Sequence, residues 1–181
     1  MENLSNGLQH LNSLRPASAE KEFLKCCGST NWAKEMTARR PFSSVEELTD
    51  AADRIWWALS QEDWLEAFRS HPKIGERKAA QETSAEALSW SSREQAGVSD
   101  APADTMEALA QLNHRYEEKF GFIYIVCASG KSSAELLAIL SERLNNERDH
   151  ELRIAAAEQA QITRLRLYKL VESLDEPEIR V

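Results

Sequence analysis

The sequence predicts an all-α fold, a single-domain helical bundle with one short extended buried segment, and three observations carry that prediction. From Lys131 to Glu176 there is neither glycine nor proline, so long helices can run without interruption. Apolar residues recur at three- and four-residue steps through most of the chain, which is the helical period. Only Phe122 to Cys127 reads as extended, and with no second strand candidate to pair with it, no sheet is expected.

Taken in order, residues 1–17 read as a loosely held stretch. They lack a basic start followed by an apolar run, so no secretory signal is expected. Ser43-Ser44-Val45-Glu46 reads as a capping box, with Ser43 at the N-cap and Glu46 reaching back. A helix then runs to about Leu59 with Leu48, Ala51, Ala52, Ile55, Trp56 and Leu59 on one stripe. Ser60 restarts a shorter helix through Asp63, Trp64 and Phe68. It ends at His71-Pro72, because proline pushes the residue before it out of the α region.

From about Lys78 to Asp104 the chain is rich in Ser, Ala, Glu and Gln and reads as a loop with a short helix near Ser92 to Ala96. Met106, Leu109, Ala110, Tyr116 and Phe120 mark a long helix stopped by Gly121. Ser132-Ser133-Ala134-Glu135 is a second capping-box pattern ahead of Leu136, Leu137, Ile139, Leu140 and Leu144. Asn145-Asn146 marks a break before a last helix from about Glu147 to Leu174. No linker or repeat divides residues 1–181, which are expected to form one domain.

Composition narrows the function classes. Among 181 residues, 22 Lys and Arg face 30 Asp and Glu, a formal net charge of -8. Without a dense basic block, that charge argues against nucleic acid and anionic membranes as partners. No run approaches the ~20 apolar residues of a membrane helix. The three cysteines, with Cys26 and Cys27 adjacent and Cys127 remote, make no disulfide framework and suggest a reducing, cytoplasmic setting. Cys-x-x-Cys, His-Glu-x-x-His, Gly-x-Gly-x-x-Gly and P-loop patterns are absent, so neither a metal nor a nucleotide cofactor is expected.

Among the four histidines, His71 alone sits at a turn, ahead of Pro72-Lys73-Ile74-Gly75-Glu76. A histidine held there suits acid/base work near neutrality, although a helix-ending histidine can simply cap a carbonyl. Arg166 steps by four from Ile162 and to Leu170 on the inner face of the last helix. Its fork of donors suits a carboxylate or a ureido carbonyl, although a structural ion pair to a glutamate is the commoner outcome and a stem packed flat with its head in water is another. Glu94 looks like any surface glutamate. The five tryptophans, all in the first half, read as core or as an aromatic cluster beside a flat heterocycle. Residues alone leave an enzyme and a non-catalytic helical interaction module both open.

A larger pattern bears on that choice. Phe23-Leu24-Lys25-Cys26-Cys27-Gly28-Ser29 with Trp32, Arg40-Pro41-Phe42, His71-Pro72-Lys73-Ile74-Gly75-Glu76, Glu94-Gln95, Asn113-x-x-Tyr116, Lys119-Phe120-Gly121-Phe122, the run to Cys127-Ala128, and Ile162-x-x-Leu165-Arg166-Leu167 together resemble the 2-oxo-4-hydroxy-4-carboxy-5-ureidoimidazoline (OHCU) decarboxylases of urate degradation. The blocks span about residues 20 to 170. The resemblance implies an all-helical, cofactor-free, homodimeric decarboxylase with (S)-allantoin as product. It places the catalytic groups on His71, Glu94 and Arg166, with Arg164 as the fallback for the arginine. It further implies that Pro72, the segment Ser91, Ser92, Arg93, Glu94 and Gln95, and the segment Tyr124, Ile125, Val126, Cys127 and Ala128 line the substrate pocket near the extended segment, largely through backbone groups. The chain ends Glu178-Ile179-Arg180-Val181, without the peroxisomal tripeptide of many eukaryotic members and without a fused hydroxyisourate hydrolase domain. A bacterial cytoplasm is therefore the expected setting.

Overall fold

The computed structural model describes residues 5–76 and 83–175. The C-terminal tetrapeptide and the start of the segment expected to be a loop lie outside the described residues. Among those described there are nine α-helices, one short 3₁₀ turn and no β-strand, as the all-α reading requires. The helices are α1 (Asn6–Ser13), α2 (Pro16–Cys26), α3 (Thr30–Arg39), α4 (Val45–Ala58), α5 (Gln61–Arg69), α6 (Ala85–Glu94), α7 (Ala103–Phe120), α8 (Ser133–Arg143) and α9 (Arg148–Asp175). The chain divides into two compact units, residues 1–64 with 162–181, and residues 65–161.

In the first unit α3 packs between α2 and α4. Phe23 meets the Trp32 ring edge-on at 5.9 Å, and the Trp32 indole N–H donates to the Ala52 carbonyl at 3.2 Å, so this large side chain is buried without an orphaned donor. Trp64 does the same to the Trp56 carbonyl at 2.9 Å. Four of the five tryptophans, Trp32, Trp56, Trp64 and Trp90, are core; Trp57 is exposed.

Two local expectations change. The N-terminal stretch is not loose over its described part: α1 buries Leu8 and Leu11. The cause is long-range. Arg40 donates to the carbonyls of Leu11 and Leu14 at 2.7 and 2.9 Å, and Asn12 exchanges two hydrogen bonds with the Phe42 backbone. The cap of α4 also sits one residue later than read. Ser44 is the N-cap of α4 and accepts from the Glu47 amide, while Glu47 reaches back to Ser43. Adjacent serines and adjacent glutamates fit the pattern in either register.

In the second unit α7 packs on α8, and Gly121 ends α7 in the left-handed region, φ 79°. Tyr116, Phe120, Phe122 and Tyr124 form a cluster of rings 4.6–6.0 Å apart. Phe122 and Tyr124 to Ala128 are buried and belong to no regular element, as expected. The second capping box is present as read, with Ser132 and Glu135 bonding reciprocally. The short helix expected near Ser92 to Ala96 is instead α6, ten residues long, beginning at Ala85 behind the N-cap Ser84 and followed by the 3₁₀ turn Ala96–Val98. Its buried side chains are Ala87, Trp90 and Ser91, a face too small and polar to show as an apolar stripe.

Candidate active site

The site is built in the second unit on the turn that ends α5. His71 closes the helix by donating its backbone N–H to the Phe68 carbonyl at 3.1 Å, and Pro72 forbids continuation. The residue is 8% exposed, with Nε2 2.7 Å from Oε1 of Gln159 on α9. The rest of the turn is braced from three directions. Asn113 of α7 donates to the Ile74 carbonyl at 3.0 Å. The Gly75 amide donates to Gln95 Oε1 at 3.0 Å, and Gly75 takes φ 89°, which a residue with a Cβ rarely adopts. Lys73 pairs with Glu117 at 2.5 Å, a hydrogen bond that holds the ammonium above its ordinary pKa. Lys73 thus stiffens the turn by tying it to α7.

Of the segment Ser91 to Gln95, Ser91 is buried, Glu94 and Gln95 are half-buried, and Ser92 and Arg93 are exposed. Arg93 turns to Ser89 on its own helix at 3.1 Å. Pro72, Ser92 and Gln95 share a cavity of about 610 Å³ with Leu88, Val98 and Met106.

The extended segment Tyr124 to Ala128 has its backbone groups engaged by charged side chains. Arg143 donates to the Ile125 carbonyl at 2.8 Å, Glu158 accepts from the Cys127 amide at 2.6 Å, and Lys131 donates to the Cys127 carbonyl at 2.7 Å. The Cys127 N–H, one of the backbone groups expected to line the pocket, already has an acceptor. Burial, opposed by Lys131 and aided by the charges of Glu158 and Glu94, pushes the Cys127 thiol up, which suits inert packing rather than nucleophilic work. Glu94 therefore lies within electrostatic reach of the segment.

Arg166 belongs to the first unit. It is 3% exposed, and its Nη1 donates to the Lys25 carbonyl at 3.2 Å. Arg164 is exposed and lies 3.4 Å from Asp53, so the fallback arginine faces solvent. Gln159, Glu158 and Glu117 escaped the sequence reading. Gln159 had a usable signal: Ala155, Gln159, Ile162, Arg166 and Leu170 fall at three- and four-residue steps, and a polar residue in a buried stripe needs a partner. Among the described residues no cluster of His, Cys, Asp and Glu could hold a metal ion. None of their helices is long and apolar enough to cross a membrane.

Residues 12–168 match the OHCU decarboxylase family. The chain is 42% identical over 152 residues to the uric acid degradation bifunctional protein TTL of Arabidopsis thaliana, covering 83% of this chain and 47% of that protein. The bifunctional protein PucL of Bacillus subtilis is 28% identical over 83% of this chain and 30% of its own length. The chain thus spans half or less of these two longer relatives. By contrast it covers 93% of the OHCU decarboxylase of Haloferax volcanii, to which it is 31% identical over 88% of its own length. Among solved structures, one of an OHCU decarboxylase in the presence of (S)-allantoin superposes with a TM-score of 0.72 and 40% identity, over 84% of this chain and 98% of that one. With the family matched from before α2 into the inner face of α9, the chain belongs to the OHCU decarboxylases.

Proposed function

We propose that this chain decarboxylates 2-oxo-4-hydroxy-4-carboxy-5-ureidoimidazoline without a cofactor and gives (S)-allantoin. The observation that carries the proposal is a buried imidazole on a turn that is braced by α7 and by Gln95, a residue of a segment that the family resemblance assigns to substrate. Breaking the bond to the carboxylate leaves an electron pair on ring carbon as CO₂ departs. The adjacent ring C=N accepts that pair, so the substrate is its own electron sink, a role other enzymes give to a cofactor. An enol-like intermediate results. The ring nitrogen that receives the pair takes up a proton, the hydroxyl proton leaves as the carbonyl forms, one proton goes to ring carbon on one face, and the net reaction consumes one proton for each CO₂ released.

In this reading His71 takes the hydroxyl proton, Glu94 orients the ring or holds the ureido nitrogens, and Arg166 holds anionic charge, the last assigned by the resemblance alone. Pro72, the segment Ser91 to Gln95 and the segment Tyr124 to Ala128 line the pocket. A homodimer in the cytoplasm belongs to the same reading, and sedimentation of the purified protein tests the dimer.

Circular dichroism of freshly generated substrate tests the activity. One allantoin enantiomer should appear rapidly with the wild type, while His71→Ala, its helicity unchanged, loses at least the ~10²-fold typical of acid/base help. Slow decay to racemate in both samples would favour a non-catalytic interaction module.

A further inference from the structure

We propose that Gln159 is the positioning residue of His71: its side-chain oxygen accepts the Nε2–H and fixes the tautomer in which Nδ1 is the basic nitrogen presented to substrate. This rests on the reading of His71 as the acid/base group. The geometry is local to the second unit. Nε2 and Oε1 are 2.7 Å apart, Gln159 is fully buried and His71 nearly so. Both partners lose water on folding, so the hydrogen bond must be made for the burial to be tolerated. Gln159 follows Glu158, which holds the Cys127 amide at 2.6 Å. One turn of α9 thereby fixes both the imidazole and the extended segment.

The chemistry of the partner matters as much as its position. A carboxylate beside imidazole favours the charged ring, whereas an amide oxygen orients the ring without adding a charge. A group that must take a proton and return it in one turnover is served by a neutral partner, because neither protonation state is trapped. The other charged groups on the surrounding stretches of this unit include Glu76 and Lys73 on the turn itself, the latter with its Glu117 partner, Glu94 at the end of α6, and Glu158 with Lys131 at the extended segment. All of these stay constant in the variants below.

The test combines spectroscopy with kinetics on the full chain. In the ¹⁵N spectrum of histidine-labelled protein, the signals lost in His71→Asn should report a neutral ring protonated at Nε2; protonation at Nδ1 overturns the proposal. Gln159→Met, which keeps length but not the acceptor, should lower kcat by about 10- to 100-fold, a part of the full acid/base contribution, with KM little changed. Gln159→Glu restores the acceptor. It should recover most of kcat while moving the acidic limb of the pH profile upward by about one unit or more. Inactive His71→Asn with unchanged kcat and pH profile in both Gln159 variants would overturn the positioning role and leave His71 catalytic. A His71→Asn variant with the wild-type rate would instead sink the reading of His71 itself.

Discussion

Arg166 and Arg164 stand two residues apart on one helix and face opposite fates, and that contrast makes a clean comparison. Arg166 is buried against the Lys25 carbonyl; Arg164 is exposed beside Asp53, in a surface pair typically worth ~0–1 kcal/mol. Arg166→Lys keeps the charge and loses the planar fork, so kcat/KM should fall clearly while the circular dichroism spectrum stays that of the wild type. Arg164→Ala should leave kcat/KM near wild type. An unchanged kcat/KM in Arg166→Lys would make Arg166 a structural tie to α2. At this scale the sequence was informative where a residue broke a pattern. Arg166 interrupts an apolar stripe, and His71 precedes proline. Glu94 broke no pattern and came from family resemblance alone. Gln159 did interrupt the stripe, but a glutamine among Glu158, Gln159, Ala160 and Gln161 is camouflaged by its neighbours.

At the start of three helices a serine bonds the carboxylate of the helix's third residue, and this sets an acid dependence. Hydrogen bonds from Ser43 lower the Glu47 pKa, those from Ser60 lower that of Asp63, and those from Ser132 lower that of Glu135. A carboxylate lowered by folding contributes stability that is complete above its unfolded value, near 4, and is lost as pH falls through the folded one. Thermal melts should therefore show Glu135→Gln less stable than wild type at neutral pH, the gap closing as the pH drops below about 4. A gap that stays constant with pH would mean the cap is maintained by hydrogen bonding alone. Such caps are written in four-residue windows, which is why α4, α5 and α8 were legible. The helix α6 was only half legible because it buries little more than Trp90 and two small side chains, and α1 because its anchors, Arg40 and Phe42, lie some thirty residues away.

At the scale of the molecule, the second unit is organised around one buried ion pair. Arg143 meets Glu151 at 2.6 Å with both side chains buried. Tyr116 donates its hydroxyl to the same carboxylate, Asn146 donates to the second oxygen at 2.8 Å, and the Tyr124 ring lies 4.9 Å from the guanidinium carbon. Removing one member strands the other. Arg143→Met should cost about 3–5 kcal/mol, lowering Tm by roughly 6–20 °C for a chain of this size, and Arg143→Met with Glu151→Leu should recover part of the loss. A fall of a degree or two in calorimetry would mean that water reaches the pair. The all-α architecture was visible in periodicity because burial repeats along every helix. The network was not, since an arginine and a glutamate eight residues apart look in sequence like two solvated charges.

A strand inside a sheet is held by main-chain partners, which survive any change of side chain. Along residues 124 to 128 side chains do most of that work: Arg143 and Lys131 bond the carbonyls of Ile125 and Cys127 and Glu158 takes the Cys127 amide, while the Ala128 carbonyl accepts from the Lys131 backbone N–H at 3.0 Å. The geometry of this segment is therefore inherited through codons that lie outside it. A lineage could preserve every residue from Tyr124 to Ala128 and still lose the shape of this segment by drift at one of those three positions.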